Sequence, residues 1–285
     1  MGSSSTFSFC AIALAATAAV TACGHDDYHH GYRRGDGSSI VFGISEGKDP
    51  TSGKTVTTAG HEYLSLANRG GSRTQVDFVS DGDVCIHEEL DRRIGRPNVG
   101  DGGRARFSGG KLPGDGIVID ANAKDEPKLD GESFFGDQPL TFAVDFGFAL
   151  PEFGVVHLPS PTRFLEIKEP ADTGELGVDV TKDTSVAWSP TMIQERPTTR
   201  GRARVMVAFE TDDAQDHGNQ VRCFYDEKDG AGIVPSKWLS LIGPKGTKGT
   251  VTYASHRQVD VYARGGWLIY VVGTIVLREQ RFVVN

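Results

Sequence analysis

The chain has 285 residues, enough for one large or two modest domains with cores of their own. Charged residues make up 24% of it and the formal net charge is −8, a mildly acidic globular composition rather than a disordered one. No basic run is longer than a pair such as Arg33-Arg34, so the clustered Lys and Arg that nucleic-acid phosphates require are missing and nucleic acid is excluded as a partner.

From Phe7 to Ala22 there is no charged residue, and the stretch is rich in Ala, Thr and Val. It is short for a membrane-spanning helix and has the length of a signal-peptide apolar region. It ends in Val20-Thr21-Ala22-Cys23, which resembles a bacterial lipobox: an aliphatic residue, two small ones, then Cys. The segment before it, "MGSSSTFSF", departs from the secretory pattern in having no Lys or Arg. The resemblance implies that residues 1–22 are a lipoprotein signal peptide and that Cys23 is the lipidated (palmitate-bearing) N-terminus of the mature protein. It implies anchoring in the outer membrane, on its cell-surface or periplasmic face, since Gly24 rather than Asp follows the Cys. Several acyl chains anchor firmly where one alone binds only marginally.

With Cys10 removed and Cys23 lipidated, Cys85 and Cys223 remain. In an oxidising compartment two such cysteines form one disulfide or stay as two buried thiols, and the sequence alone leaves both open.

Residues 23–39, including "GHDDYHHGYRRGDGSS", have no apolar periodicity and read as a flexible tether. Its histidines, His25, His29 and His30, have nothing to fix a metal geometry and read as solvated. Beyond it the chain is β almost throughout. Leu140, Phe142, Val144, Phe146 and Phe148 alternate with small or polar residues, the period of two of a half-buried strand. Val205, Val207 and Phe209 share one side of "RVMVAFE"; Val259, Val261 and Ala263 share one side of "QVDVYAR". Trp267, Ile269 and Val271 do the same in a run to Leu277 that is too short to span a membrane, and Arg278, Glu279 and Arg281 close it.

One stretch predicts a helix. In "VPSKWLSLIG", Pro235 and Ser236 start it, Trp238, Leu239, Leu241 and Ile242 make its face, and Gly243-Pro244 stops it. Turn residues at short intervals give the sandwich signature. The expected fold is all-β: antiparallel β-sandwich, immunoglobulin-like in a broad sense, with two sandwiches and one short helix. The expected domains are an N-terminal β domain at 40–168 and a C-terminal sandwich at 175–285, with "KEPADTGELG" (168–177) as the linker.

Four stretches, "GRARFSGGKL" (103–112), "DFGFALPEFGVVHLPSP" (145–161), "TSVAWSP" (184–190) and "VRCFYDEKDGAGIVPSKWLSLI" (221–242), occur in an order similar to that of surface lipoproteins of myxobacteria and related predatory bacteria. The resemblance covers roughly residues 80–285. It implies a β-sandwich lipoprotein and transfers no catalytic residue.

Candidate sites are few. Trp188 followed by Cys223 echoes the immunoglobulin pairing of a core Trp with a disulfide, but Cys85 lies too far upstream for a true immunoglobulin domain, so Trp188 reads as core. Two acidic loops are candidates for calcium, which wants six to eight oxygens: Asp212, Asp213 and Asp216 in one, Asp226, Glu227 and Asp229 in the other. Neither has EF-hand spacing, Lys228 stands where a ligand would, and the competing reading is hairpin turn chemistry. No GxSxG elbow occurs, and "HEELD" (87–91) lacks the second His of a zinc protease, so His87, Glu88 and Glu89 read as exposed charges after a strand. His157 reads as a core or edge histidine. No catalytic residue is assigned and no cofactor beyond calcium is expected. The reading is a non-enzymatic envelope protein with a binding, adhesive or structural role toward another envelope protein or a glycan. The alternatives are a hydrolase or carbohydrate-acting enzyme on a sandwich, and a calcium-dependent binding module.

Overall fold

The computed structural model describes residues 39–49, 51–64, 83–91, 103–121, 123, 126–134, 138–146, 148, 150, 153–189, 203–212, 217–264 and 267–285. Its strands in chain order are β1 (Ser39–Lys48), β2 (Thr55–Leu64), β3 (Val84–Asp91), β4 (Arg104–Ser108), β5 (Ile117–Asp120), β6 (Lys128–Asp130), β7 (Leu140–Phe146), β8 (Val156–Leu158), β9 (Ile167–Glu169), β10 (Glu175–Val178), β11 (Thr184–Trp188), β12 (Arg204–Thr211), β13 (His217–Asp226), β14 (Ala231–Val234), β15 (Lys248–Ala263) and β16 (Trp267–Val284). One helical turn, α1 (Ser236–Leu239), falls where the sequence predicts a helix, and a 3-10 turn occupies Glu227–Asp229. Leu239 and Ile242 of that region are buried, whereas Leu241 points to solvent.

The fold is all-β and sandwich-like. A nine-stranded sheet runs β3-β13-β12-β15-β16-β1-β2-β6, with β10 beside the end of β16. A four-stranded sheet, β5-β4-β7-β8, and a three-stranded one, β14-β11-β9, complete it. Among the described residues pairing is antiparallel except along one side of β16, where β1 and then β10 run parallel to it. At 18 residues β16 reaches about 60 Å, long enough to serve two cores in succession. Its first half, Ile269, Val271 and Ile275, packs with Phe42, Phe107, Phe142 and Phe148 beneath the four-stranded sheet. Its end, Phe282 and Val284, packs with Trp188, Phe209, Cys223, Tyr225 and Tyr253 beneath the three-stranded one. In the first core the Phe42–Phe142 and Phe107–Phe142 ring centroids are 4.7 and 4.8 Å apart, within the range where aromatic pairs add to simple burial. Each such ring fully buried is worth about 1.5–3 kcal/mol.

Several sequence expectations change once pairing is known. Strands from both sides of residues 168–177 share the large sheet, and those residues themselves supply part of β9 and the start of β10. In "RVMVAFE" the side opposite Val205, Val207 and Phe209 is buried as well. Met206 and Ala208 are as buried as Val205 and Val207, and join Val41, Ile86, Phe224, Ala254, Leu268, Tyr270 and Val272 in a third apolar cluster on the opposite face. A nearly continuous apolar strand is what a sheet buried on both faces requires. Arg278, Glu279 and Arg281 do not close β16. They lie within it, and Arg281 pairs with Asp212.

A polar belt separates the two cores. The connection after β8 crosses the large sheet there: Thr162 donates its N–H to Ser255 Oγ at 2.7 Å and accepts at Oγ1 from Arg257 at 3.3 Å. Arg257 also pairs with buried Glu227 at 3.2 Å. Beside them Arg163 grips buried Glu46 with both ends of its guanidinium, and Glu46 accepts from the Ser133 N–H at 3.0 Å. Placing charge there is not a large source of stability, but removing one partner strands the other in a dry site.

Candidate functional site

The crossing segment leaves a shallow cleft of ≈ 450 Å³ on the surface. Leu165, Ile167 and Leu277 give it an apolar floor, and Arg163, Glu166, Asp172 and Arg278 bring charges of both signs to it. Leu277 is there because of a bulge. Tyr253 faces Arg278 and Ala254 faces Val276, so Leu277 is the extra residue of β16. Arg278 is held on both sides: it donates to the Pro170 carbonyl at 2.7 Å, and its Cζ lies 4.5 Å from the centre of the Tyr253 ring. Burial pushes Tyr253 up to about 12 against the opposing pull of Arg278, which keeps the phenol neutral at physiological pH.

Phe164 stands at the lip of the cleft with 87% of its surface exposed. Its backbone is pinned from both directions. Thr162 and Arg163 bind the belt on one side; on the other Leu165 is buried, and Glu166 and Ser189 exchange two hydrogen bonds of 2.9 and 2.8 Å. Arg163 and Phe164 form a turn ahead of β9, and Phe164 stands outward from it while Leu165 is buried. For Arg163, burial works against the charge, but the Glu46 bond and the Glu46 and Glu132 charges reverse this, so its pKa rises.

Of the residues singled out from sequence, Cys85 and Cys223 are joined in a disulfide between directly opposed positions of β3 and β13, with Cα atoms 4.0 Å apart. Trp188 is core. It is 2% exposed, packs in the same cluster as Cys223, and donates its indole N–H to the Glu227 carbonyl at 2.7 Å. Cys23, the tether histidines, Asp213 and Asp216 lie outside the described residues.

Asp212, Asp226 and Glu227 of the calcium reading are engaged with the protein. Asp212 pairs with Arg281. Asp226 caps the 3-10 turn by accepting from the Lys228 N–H at 3.2 Å, and Lys228 Nζ lies 3.0 Å from its other oxygen. Glu227 serves Arg257. Among the described residues no group of three or more His, Cys, Asp or Glu side chains is placed to hold a metal ion. The structure does bring Asp229 and Asp226 near Asp83, which the sequence reading did not include. Burial, then the Asp229 charge, raises the Asp83 carboxyl above its ordinary range, with Arg204 opposing.

His87, Glu88 and Glu89 are not residues after a strand but part of β3, where His87 is half-buried and its Nε2 lies 3.1 Å from Asn219 Oδ1. His157 is exposed on β8, an edge strand. The cleft residues were passed over because nothing in "TRFLEIKEPAD" marks Phe164 as outward or brings it to Leu277 and Arg278. Only the crossing of the sheet does so.

No protein-family model matches this chain, and no curated protein matches it. Among solved structures it is similar to the Yersinia pseudotuberculosis adhesin InvE, at 10% identity over 84% of this chain and 58% of that one, with a TM-score of 0.14. This chain therefore spans less than two thirds of the adhesin, and a likeness of that size carries no argument about function.

Proposed function

We propose that the protein is a lipid-anchored cell-envelope protein, held to the outer membrane through Cys23, with a non-enzymatic binding, adhesive or structural role toward another envelope protein or a glycan. The observation that carries this reading is the Cys85–Cys223 disulfide in a β body that follows the lipobox-like Val20-Thr21-Ala22-Cys23. Such bonds persist in oxidising compartments, which is where a lipobox delivers a chain. A rigid β framework displaying loops also suits recognition.

The test is metabolic labelling of the full chain in a Gram-negative host with a palmitate analogue, alongside membrane fractionation. Labelling and membrane association should both be lost in Cys23→Ser. A Cys23→Ser variant that stays on the membrane, with neither form labelled, overturns the anchor. Protease added to intact cells then assigns the face: digestion without lysis puts the body on the cell surface, and protection until lysis puts it in the periplasm.

A further inference from the structure

We infer that the cleft beside Phe164 is a binding site for a neutral saccharide, with the Phe164 ring as a stacking platform for one face of a sugar. The inference rests on the envelope reading and specifies its partner as a glycan. Three features carry it.

The first is the ring. An aromatic side chain 87% exposed is unremarkable on a mobile loop, but here the chain on both sides is tied down: Thr162 donates its N–H to buried Ser255, Leu165 is buried, and Glu166 donates its N–H to Ser189. The backbone that carries the ring therefore has little freedom left to lose, and that part of the ordering cost of binding falls. A flat ring of this kind matches the C–H face of a pyranose, which needs apolar area without shape-specific pockets.

The second is the equipment of the cleft. Its ≈ 450 Å³ lies in the range of small-molecule sites. Glu166 and Asp172 offer carboxylate oxygens that accept from sugar hydroxyls, and guanidinium N–H groups of the kind Arg278 carries donate to hydroxyl and ring oxygens. Leu165, Ile167 and Leu277 meet the apolar part. Mixed donors and acceptors around one ring suit a polyhydroxylated ligand better than an apolar protein surface.

The third is charge. Arg163 and Arg278 stand against Glu166 and Asp172, two charges of each sign. The cleft has no surplus of either sign to attract a phosphate, a carboxylate sugar or a cation. A neutral sugar is the class that fits.

The experiment is saturation-transfer NMR on the detergent-solubilised full chain. The probes are glucose, galactose, N-acetylglucosamine and their β-1,4-linked disaccharides at millimolar concentration. At least one should receive saturation, strongest on the C–H protons of one ring face, and Phe164→Ala should weaken binding about ten-fold while leaving the melting temperature unchanged. Absence of transfer to every probe overturns the inference, as does transfer that Phe164→Ala does not alter. An envelope protein whose cross-linking is lost in Phe164→Ala, with no sugar bound, overturns it in favour of a protein contact. Palmitate labelling at Cys23 is scored on the same preparations. Loss of the sugar with labelling intact removes the cleft alone; loss of labelling with sugar binding intact removes the anchor alone.

Discussion

His256 on β15 is buried, at 1% exposure, in a position where protonation is opposed from every charged neighbour that acts on it. Burial first, then the charges of Arg222, Arg257 and Arg204, bring its pKa from 6.5 down to about 3. Thr274 Oγ1 lies 3.3 Å from its Nδ1, and the Phe224 ring meets it edge-on at 5.3 Å. The folded protein holds this ring neutral, whereas the unfolded chain protonates it near 6.5. Between about 3 and 6.5 the unfolded state therefore binds one proton more, so stability is fully present above 6.5 and is lost as pH falls through that window. The slope is about 1.4 kcal/mol per pH unit, and between pH 7.5 and 5 this one group removes about 2 kcal/mol. Urea titrations of the wild type and His256→Gln across that range isolate the effect, because every other titrating group is common to both. The variant starts lower in stability, having lost shape complementarity, but falls less steeply by that amount. Parallel curves for the two proteins refute the reasoning.

The Cys85–Cys223 bond closes a span of 138 residues, which in the chain-entropy account is worth about 5 kcal/mol. Reduction, or Cys85→Ser with Cys223→Ser, should lower the urea midpoint accordingly, and an unchanged midpoint with the thiols shown free by mass refutes it. In the belt between the cores, Arg257→Met leaves Glu227 charged and buried, and should cost about 3–5 kcal/mol. Adding Glu227→Leu should recover most of that, while a single variant as stable as wild type would show the pair to be solvated.

The β character of the chain was legible from local pattern. Phe142 and Leu140 alternate with small and polar neighbours, Pro235 and Ser236 start the α1 turn, and Trp188 reads as core from its apolar setting, because period and turn chemistry are properties of a few adjacent residues. The lipobox-like tetrapeptide is local in the same sense. What the pattern could not supply was pairing. Met206 and Ala208 look like the outward side of β12 until Phe224 and Ala254 are set beside them, and "KEPADTGELG" looks like a linker until Glu175–Val178 pairs with the end of β16.

The same limit governs chemistry. For Cys85 and Cys223 an oxidising compartment suggested a bond but left two buried thiols open, since 138 residues of sequence say nothing about whether β3 lies against β13. Phe164 is more than a hundred positions from Leu277 and Arg278 and shares a cleft with them only because one connection crosses one long strand at its bulge. Sequence by itself determined which residues seek burial and where the chain turns, because these are short-range free energies. The tertiary structure alone decided which strands share a sheet, which charges face one another in the dry belt, and which ring is left in the open. Those outcomes depend on contacts between distant segments, and no local propensity encodes them.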